Sequence, residues 1–466
     1  MAGQTVPQPF GAKPFVVPKG FDVRADAYMT AWARARRFSG SVLMAVDGKP
    51  IFRKAYGYAD WSTHQPMTPE TPLLLFSLTE TVTAGAIVLL QQRNLLHTAD
   101  KASQYLLNLP TAWGDVTVHQ LLSHTSGIEP ISGDAWMLAQ GDAAEEAKAT
   151  SAVAPRSTNP AEPYAHCSVD YFLLGKIIDK VSGKPYERFL HDELFKPLGM
   201  TGAGVGSHIE SQPLVARGHT LNGSKLVPFD QGVESLGAEG DLHGSVDDLL
   251  KWTQAMETPG LFTPESLELI HSGYVQMSKT RLYCYGWQRD PARGFWEQSG
   301  GGNSFLADIS RIPRQKLVVI MLRNIAPTIS RLPSEDLIRM VEGGTVSPPR
   351  FADFDSLNGY AGAYQNGKEQ PTVVAATNGE LTVTLPGGKP EVAQFTGDGN
   401  FKTNDFTLGF SPAPSGNYLM KLHLAGTAKV LRRVEALQTT AAARPERIGS
   451  KMRRPAYSVK SRGTSQ

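Results

Sequence analysis

The chain has 466 residues, with 46 basic and 44 acidic side chains and a formal net charge of +2. This near-balance excludes a strongly basic nucleic-acid binder and an acidic scaffold, while a hydrophobic fraction of 41 % is typical of a globular protein. Two cysteines, Cys167 and Cys284, are too few for a disulfide-rich scaffold or a cysteine-based zinc site, and we expect both to be reduced. The length predicts two or three domains.

The positive charge is concentrated at the C-terminal end. Residues 441–466 hold seven basic side chains and one acid, so the rest of the chain has a net charge of −4. Proline, serine and glycine lie among these basic residues, which is typical of a disordered, solvated tail, here predicted over residues 438–466. Attachment to an anionic surface is the alternative interpretation of this tail. No nucleic-acid partner is predicted.

The N-terminal end predicts an extended arm over residues 1–20, because it is rich in proline and glycine. It lacks a charged start followed by an apolar run, so no export signal is visible. The longest apolar run, Ala84–Leu90, is far shorter than the roughly 20 residues of a membrane span. These features predict a cytoplasmic protein, or an exported one from which a signal has been removed.

Strands and helices alternate over residues 21–344. A hairpin is predicted around the Asp47-Gly48 turn, with strands at Ser41–Val46 and Pro50–Tyr56. Four helices and two further strands are predicted at Ser77–Leu96, Val118–Leu122, Tyr171–Val181, Asp247–Met256, Phe305–Ile309 and Leu317–Leu322. Because strands lie at both ends with helices between them, the pattern predicts one α+β domain closed by pairing of its terminal strands.

The character of the sequence changes after the Pro348-Pro349 pair. Short β segments then alternate with Asn-Gly, Gly-Gly and Gly-Asp-Gly-Asn turns. This spacing predicts a small antiparallel β-barrel or sandwich over residues 350–437.

Five segments of the predicted α+β domain contain polar residues of the types used in catalysis. They are Phe76–Glu80, Leu121–Ile128, Pro160–Ser168, Glu239–Leu249 and Gln298–Gly302. Ser77 alone has an ordinary explanation, since serine is a good helix N-cap. In this order and spacing, however, the segments resemble the serine β-lactamase-like family, which includes class C-type β-lactamases, penicillin-binding peptidases and related esterases.

The resemblance covers roughly residues 25–325. It implies a β-lactamase/transpeptidase-like domain, in which an antiparallel sheet is flanked by helices. The β segments that follow resemble the small lipocalin-like barrel often appended to such proteins. For an exported member, the resemblance implies a periplasmic or secreted location.

The catalytic positions depart from the family pattern of Ser-x-x-Lys, Tyr-x-Asn and Lys- or His-x-Gly. The first motif keeps Ser77 but ends in Glu80, and the resemblance places His166 in the tyrosine position. The other positions implied to bind substrate are Ser168, Gln298, Ser299 and Gly300. The resemblance also implies an oxyanion hole formed by the backbone N–H groups of Ser77 and Gly301.

A carboxylate and an imidazole beside a serine are the parts of a Ser-His-acid triad. Ser77 and Glu80 are three residues apart, so on a helix they share one face. An imidazole, with an ordinary pKa of about 6.5, is a better base at neutral pH than a phenol near 10. The hypothesis is that Ser77 attacks the substrate, His166 takes its proton and Glu80 holds His166.

The third motif has no cation to bind a substrate carboxylate, so efficient penicillin hydrolysis is not expected. The sequence favours a serine hydrolase for amide or ester bonds, and the resemblance implies peptides with D- or non-standard residues, such as a linearised cyclic peptide, as its substrates. The alternative is a degenerate protein that binds a ligand without turnover. We expect no cofactor and no metal site, because no histidine pair has ligand spacing, and His124 is interpreted as structural. The oligomeric state is not predicted.

Overall fold

The computed structural model describes residues 16–107, 109–128, 164–206, 215–222, 225–229, 237–302, 304–325, 333–349, 351, 354–377, 380–397, 399–413, 418–424 and 426–435. Most of the predicted arm and all of the predicted basic tail lie outside these residues. Across the described part of the chain, no helix has the length and apolar character needed to cross a bilayer.

The helices lie mainly in the first two thirds of the chain. They are α1 Phe21–Arg34, α2 Thr79–Gln92, α3 Val118–Leu122, α4 Ser168–Ser182, α5 Tyr186–Leu190, α6 Lys196–Leu198, α7 Val246–Ala255, α8 Pro264–His271, α9 Pro333–Val341 and α10 Phe354–Tyr360. The strands before residue 330 are β1 Gly40–Val46, β2 Lys49–Tyr56, β3 Tyr58–Asp60, β4 Gln65–Pro66, β5 Leu73–Leu74, β6 Gly204–Val205, β7 His219–Asn222, β8 Lys225–Pro228, β9 Leu242–Gly244, β10 Val275–Gln276, β11 Leu282–Tyr283, β12 Gln288–Asp290, β13 Phe295–Gly302, β14 Phe305–Ile312 and β15 Leu317–Arg323.

The main sheet has eight antiparallel strands in the order β10-β11-β12-β13-β14-β15-β1-β2. β1 pairs with β15, from Gly40 opposite Arg323 to Val46 opposite Leu317, which confirms the predicted pairing of terminal strands. The predicted hairpin is also confirmed. Its Asp47-Gly48 turn has φ values of 50° and 71°, as a two-residue loop with both central residues left-handed requires.

Two apolar layers cover the sheet, because alternate residues of a strand face opposite sides. On β1, Val42 and Met44 pack with α1 and α9, whereas Leu43 and Ala45 pack with α2, α3, α4 and α7. Helix α2 lies deepest, and all its residues from Thr79 to Leu90 are buried. A polar residue on α2 therefore lies in the protein interior.

Helix α2 is shorter than predicted at both ends. A 3-10 turn, Phe76–Leu78, precedes it, so Ser77 lies in this turn rather than in the α-helix. After Gln92 the chain reaches Asn94, whose φ of 58° is left-handed and incompatible with further helix. The other three predicted helices are confirmed to within a few residues.

The C-terminal strands form a closed antiparallel barrel, which decides between the predicted barrel and sandwich. They are β16 Gly362–Gln365, β17 Thr372–Thr377, β18 Glu380–Thr384, β19 Glu391–Gly397, β20 Asn400–Lys402, β21 Phe406–Pro412, β22 Tyr418–Leu424 and β23 Thr427–Glu435. Pairing of β16 with β23 closes the barrel. Strands β16, β20 and β23 were not predicted, since β20 is very short and β23 carries a run of basic residues that resembles a loop.

Candidate active site

Ser77 lies in a strained turn at the start of α2. The preceding residue, Phe76, has a φ of 48°, a left-handed conformation that costs a non-glycine residue about 1–3 kcal/mol and is frequent at functional sites. Phe76 and Leu78 are buried, while Ser77 is partly exposed. The turn therefore presents a serine at the edge of a buried segment.

Strand β13 passes directly against this turn at Gly300. A Cβ atom at Gly300 would lie 2.0 Å from the Leu75 carbonyl oxygen and 2.7 Å from the backbone nitrogen of Ser77. Only glycine fits there, because the two backbones are in contact. The next residue, Gly301, is exposed. The backbone positions predicted to form an oxyanion hole thus belong to two segments that touch.

Glu80 has no exposed surface, yet its carboxylate is well partnered. Its Oε1 lies 2.9 Å from Nε2 of His166. Its Oε2 accepts hydrogen bonds from the Tyr283 hydroxyl at 2.8 Å and from the Gln298 amide at 3.3 Å, and Nε2 of His124 lies 3.6 Å away. These contacts explain how a carboxylate is tolerated in the interior.

Charge partners hold the two buried groups of this cluster ionised. Burial alone would raise the pKa of Glu80, but His124 and His166 lower it to about 2. Burial alone would lower the pKa of His124, but Glu80 and Asp170 raise it to about 9. At neutral pH Glu80 is therefore a carboxylate and His124 is a cation.

His166 comes just before α4 and is the accessible member of the cluster. Its side chain is 43 % exposed, while Glu80 is fully buried. With Nε2 bonded to Glu80, the other ring nitrogen, Nδ1, remains for a different partner. Within the described part of the chain, no hydrogen bond joins the His166 ring to the Ser77 hydroxyl. The structure brings His166 and Glu80 into contact without engaging Ser77.

His124 is the buried histidine of the cluster, and its ring centroid lies 4.7 Å from that of His166. It is 1 % exposed and has a left-handed φ of 54°. Its Nδ1 lies 3.0 Å from Oδ2 of Asp170, and the Ser126 hydroxyl donates to Oδ1 of the same carboxylate at 2.6 Å. His124, interpreted from sequence as structural, is thus part of the Glu80 cluster.

The predicted substrate-binding residues have different environments. Gln298 is 3 % exposed, and its amide donates to the Ser77 carbonyl at 3.2 Å as well as to Glu80. Ser299 is exposed, and Ser168 is partly exposed at the first residue of α4. Contact with substrate stays a prediction for all of them, and the amide of Gln298 is already engaged inside the protein.

Sequence reasoning assigned no role to three residues of the site. Tyr283 lies on the short strand β11, which gave no pattern to assign it. Asp170 had a usable signal, since it is an acid on the otherwise apolar face of α4 that carries Leu174 and Ile177. Glu239 is buried beside Ser168, and burial, reinforced by the charge of Glu80, raises its pKa to about 7.

Both cysteines are free, as predicted, and both are buried. Burial raises the pKa of the Cys167 thiol, and it raises that of Cys284 to about 12. Neither is a thiolate at neutral pH, so Cys167 is not an activated nucleophile despite its position beside His166.

Comparison with known proteins finds a family and several relatives. A family model described as Beta-lactamase matches residues 25–340. PbpX of Bacillus subtilis (strain 168) is 30 % identical over 232 residues, which are 50 % of this chain and 58 % of the relative. Protein flp of Staphylococcus aureus (strain MRSA252) is 24 % identical over 298 residues, which are 61 % of this chain and 59 % of the relative. The chain therefore spans less than two thirds of the length of these relatives.

Solved structures share the fold at lower identity. The octameric penicillin-binding protein homologue from Pyrococcus abyssi has a TM-score of 0.64 at 24 % identity, covering 89 % of this chain and 98 % of that one. EstCE1, a hydrolase with promiscuous acyltransferase activity, has a TM-score of 0.56 at 16 % identity, covering 70 % of this chain and 98 % of that one. With the family model matching about two thirds of the sequence, the chain belongs to the beta-lactamase family, whose members are generally serine hydrolases.

Proposed function

We propose that this protein hydrolyses amide or ester bonds through an acyl-enzyme on Ser77, with His166 as the base and Glu80 as the group that orients it. The observation that carries the proposal is the 2.9 Å contact between Nε2 of His166 and Oε1 of Glu80, next to the Ser77 turn. In a serine triad the imidazole takes the proton and the carboxylate fixes its orientation. Glu80 and His166 are suited to these roles.

The electrostatics favour Glu80 as the orienting group rather than the base. A carboxylate with a pKa of about 2 is a weak acceptor for the proton of a serine hydroxyl. Its charge instead stabilises the imidazolium that forms when His166 takes that proton on Nδ1. The proton then passes to the leaving amine or alcohol as the acyl-enzyme forms, and water repeats the sequence to release the acid.

Ser77 and His166 must approach each other during this reaction. Catalytic hydrogen bonds are often long in free enzymes and shorten in the substrate complex. The His166 side chain is 43 % exposed, whereas Glu80 is buried and bonded to Tyr283 and Gln298, so we expect His166 to be the group that moves. We assign Gln298 a positioning role, because its amide ties the Ser77 carbonyl to the Glu80 carboxylate.

The substrate proposal rests on the absence of a cation from the third motif, Gln298-Ser299-Gly300. A site without that cation gives a penicillin carboxylate no charge partner. Peptides with D- or non-standard residues, such as a linearised cyclic peptide, fit better, as do simple esters. PbpX is similar in sequence and EstCE1 in fold, and an acyl-serine intermediate is consistent with that likeness.

A second candidate function is binding without turnover. The observation that favours it is the lack of a hydrogen bond between Ser77 and His166 among the described residues. If the hydroxyl is never activated, the cleft holds a ligand but forms no acyl-enzyme.

Turnover of p-nitrophenyl esters separates the two functions. We expect the native chain to release p-nitrophenol and Ser77→Ala to fall to the background rate. Ser278→Ala is the matched control, since Ser278 is exposed and outside the site. No turnover by the native chain, or equal turnover by native and Ser77→Ala, would contradict the hydrolase proposal.

A further inference from the structure

We propose that Glu80, His124 and His166 also form a binding site for one divalent transition-metal ion, with Zn²⁺ as the ion that fits best. One ligand atom from each of these residues lies within 4.8 Å of the other two. No sequence pattern indicates this site, because the two histidines are far apart along the chain. The fold brings them to the same carboxylate.

The spacing of the donor atoms is close to that of a zinc site. Nε2 of His166 lies 2.9 Å from Oε1 of Glu80, and Nε2 of His124 lies 3.6 Å from Oε2. Ligands at about 2.0–2.1 Å from a tetrahedral zinc ion are about 3.3 Å apart. The carboxylate already has this spacing to each imidazole. Binding requires mainly that the partly exposed His166 ring move toward His124.

His124 provides an independent indication of a ligand. Its Nε2 is fully buried and has no hydrogen-bond partner among the described residues. A buried polar nitrogen without a partner is costly, and a specific case calls for an explanation. This atom points at the Glu80 carboxylate from 3.6 Å, which is beyond hydrogen-bond distance. A metal ion between the two groups would bind both, and the proton that His124 carries at neutral pH would be released to solvent as the ion binds.

The surroundings are those that metal-binding histidines use. Nδ1 of His124 lies 3.0 Å from the Asp170 carboxylate, the arrangement that orients a ligating imidazole and makes it more basic. Tyr283 holds Oε2 of Glu80 by a hydrogen bond of 2.8 Å. Two histidines and one carboxylate are a known zinc ligand set that leaves a fourth position open. The exposed side of His166 provides the entry path.

Metal binding would oppose the hydrolase activity. The ion takes Nε2 of His166 and an oxygen of Glu80, which are the two atoms that form the orienting contact of the proposed triad. We therefore expect Zn²⁺ to inhibit ester hydrolysis and a chelator to restore it. This last expectation rests on the proposed function, whereas the binding site itself does not.

The test is titration of the tag-free full chain, treated with EDTA and dialysed, with ZnCl₂ in a calorimeter. We expect one ion per chain and about 100-fold or greater loss of affinity in His166→Ala, whose exposed side chain makes it a mild change for the fold. His191→Ala is the matched control, because His191 is an exposed histidine that lies beside a single carboxylate, Asp192, among the ion pairs of the described residues. Titration with CoCl₂ should give the intense visible absorption of tetrahedral cobalt in the native chain and not in His166→Ala.

Absence of zinc binding by the native chain, or equal affinity in native and His166→Ala, would overturn the metal site. Ester turnover measured on the same samples keeps the two proposals apart. Zinc binding without turnover supports the metal site and contradicts the hydrolase. Turnover without zinc binding supports the hydrolase and contradicts the metal site.

Discussion

The mixed α+β region, residues 21–344, and the C-terminal barrel differ in the polarity of their buried side chains. Among the described barrel residues, the buried side chains are apolar except for Thr372 and Thr403. The mixed region also buries charged groups, among them Glu80, Asp170 and Glu239. Burying a charge is costly unless it is paired, so a fold retains such groups mainly where they act on something. The contrast supports the proposal that the chemistry takes place in the mixed region, and we expect the barrel to contribute through packing.

The largest effect on ester hydrolysis is expected from removing the charge of Glu80. In Glu80→Gln the amide keeps the shape of the carboxylate but cannot hold an imidazolium, so kcat/KM for ester hydrolysis should fall about 10³–10⁴-fold. Glu268→Gln, an exposed substitution of the same type, is the control. Unchanged hydrolysis in Glu80→Gln, with its fold intact by circular dichroism, would remove Glu80 from the mechanism.

The next largest effect on the rate is expected at the contact between β13 and the Ser77 turn. A methyl group in Gly300→Ala would overlap the Leu75 carbonyl and displace the turn, and a shift of about 1 Å at a catalytic group can cost about 100-fold in rate. Gly260→Ala is the matched control, since no heavy atom lies within 4 Å of a Cβ there. Steady-state kinetics of the two variants provide the comparison. Equal rates would show that Gly300 does not hold the turn.

In the barrel, a core substitution should affect stability and leave the chemistry intact. Phe401 is 1 % exposed and packs against Phe395 and Phe410. Phe401→Ala should lower the free energy of unfolding by about 3–5 kcal/mol, measured by urea denaturation. Ester hydrolysis per folded molecule should not change. A loss of hydrolysis at full stability would mean that the barrel contributes to the site.

The smallest expected effect is on the pH dependence of the stability of the fold. The lowered pKa of Glu80 stabilises the fold above about pH 4.5, and this contribution is lost as the pH falls toward 2. The raised pKa of His124 stabilises it below about pH 6.5, and this is lost as the pH rises toward 9. The difference in Tm between the native chain and Glu80→Gln should therefore be largest between about pH 4.5 and 6.5. A difference that does not shrink toward pH 9 would contradict the ionised pair.

Local features made much of the fold predictable. The Asp47-Gly48 turn and the apolar run of α2 follow rules that need no distant contact, and the structure has both. The contact of Glu80 with His166 could be anticipated only because the resemblance placed both residues at one site. The predicted ends of α2 were wrong, because the left-handed conformation of Phe76 and Asn94 has no clear signal in the sequence.

The rest of the site depends on long-range packing. Tyr283 and His124 reach Glu80 from a distant strand and a distant turn, and no periodic pattern connects such residues. The spacing rule for metal ligands could not indicate the proposed site for the same reason, since it detects only histidines that are close in sequence. Asp170 is the exception, because an acid on the apolar face of α4 could have been noticed.

The most direct test of the triad is the rate at which a fluorophosphonate probe labels Ser77, followed by intact mass and peptide mapping. Labelling requires a nucleophilic serine but no knowledge of the natural substrate. We predict modification of the native chain at Ser77 and a rate lower by about 100-fold or more in His166→Ala, since general-base assistance contributes about 10²–10⁴-fold. No modification of Ser77, or the same rate without His166, would contradict the account.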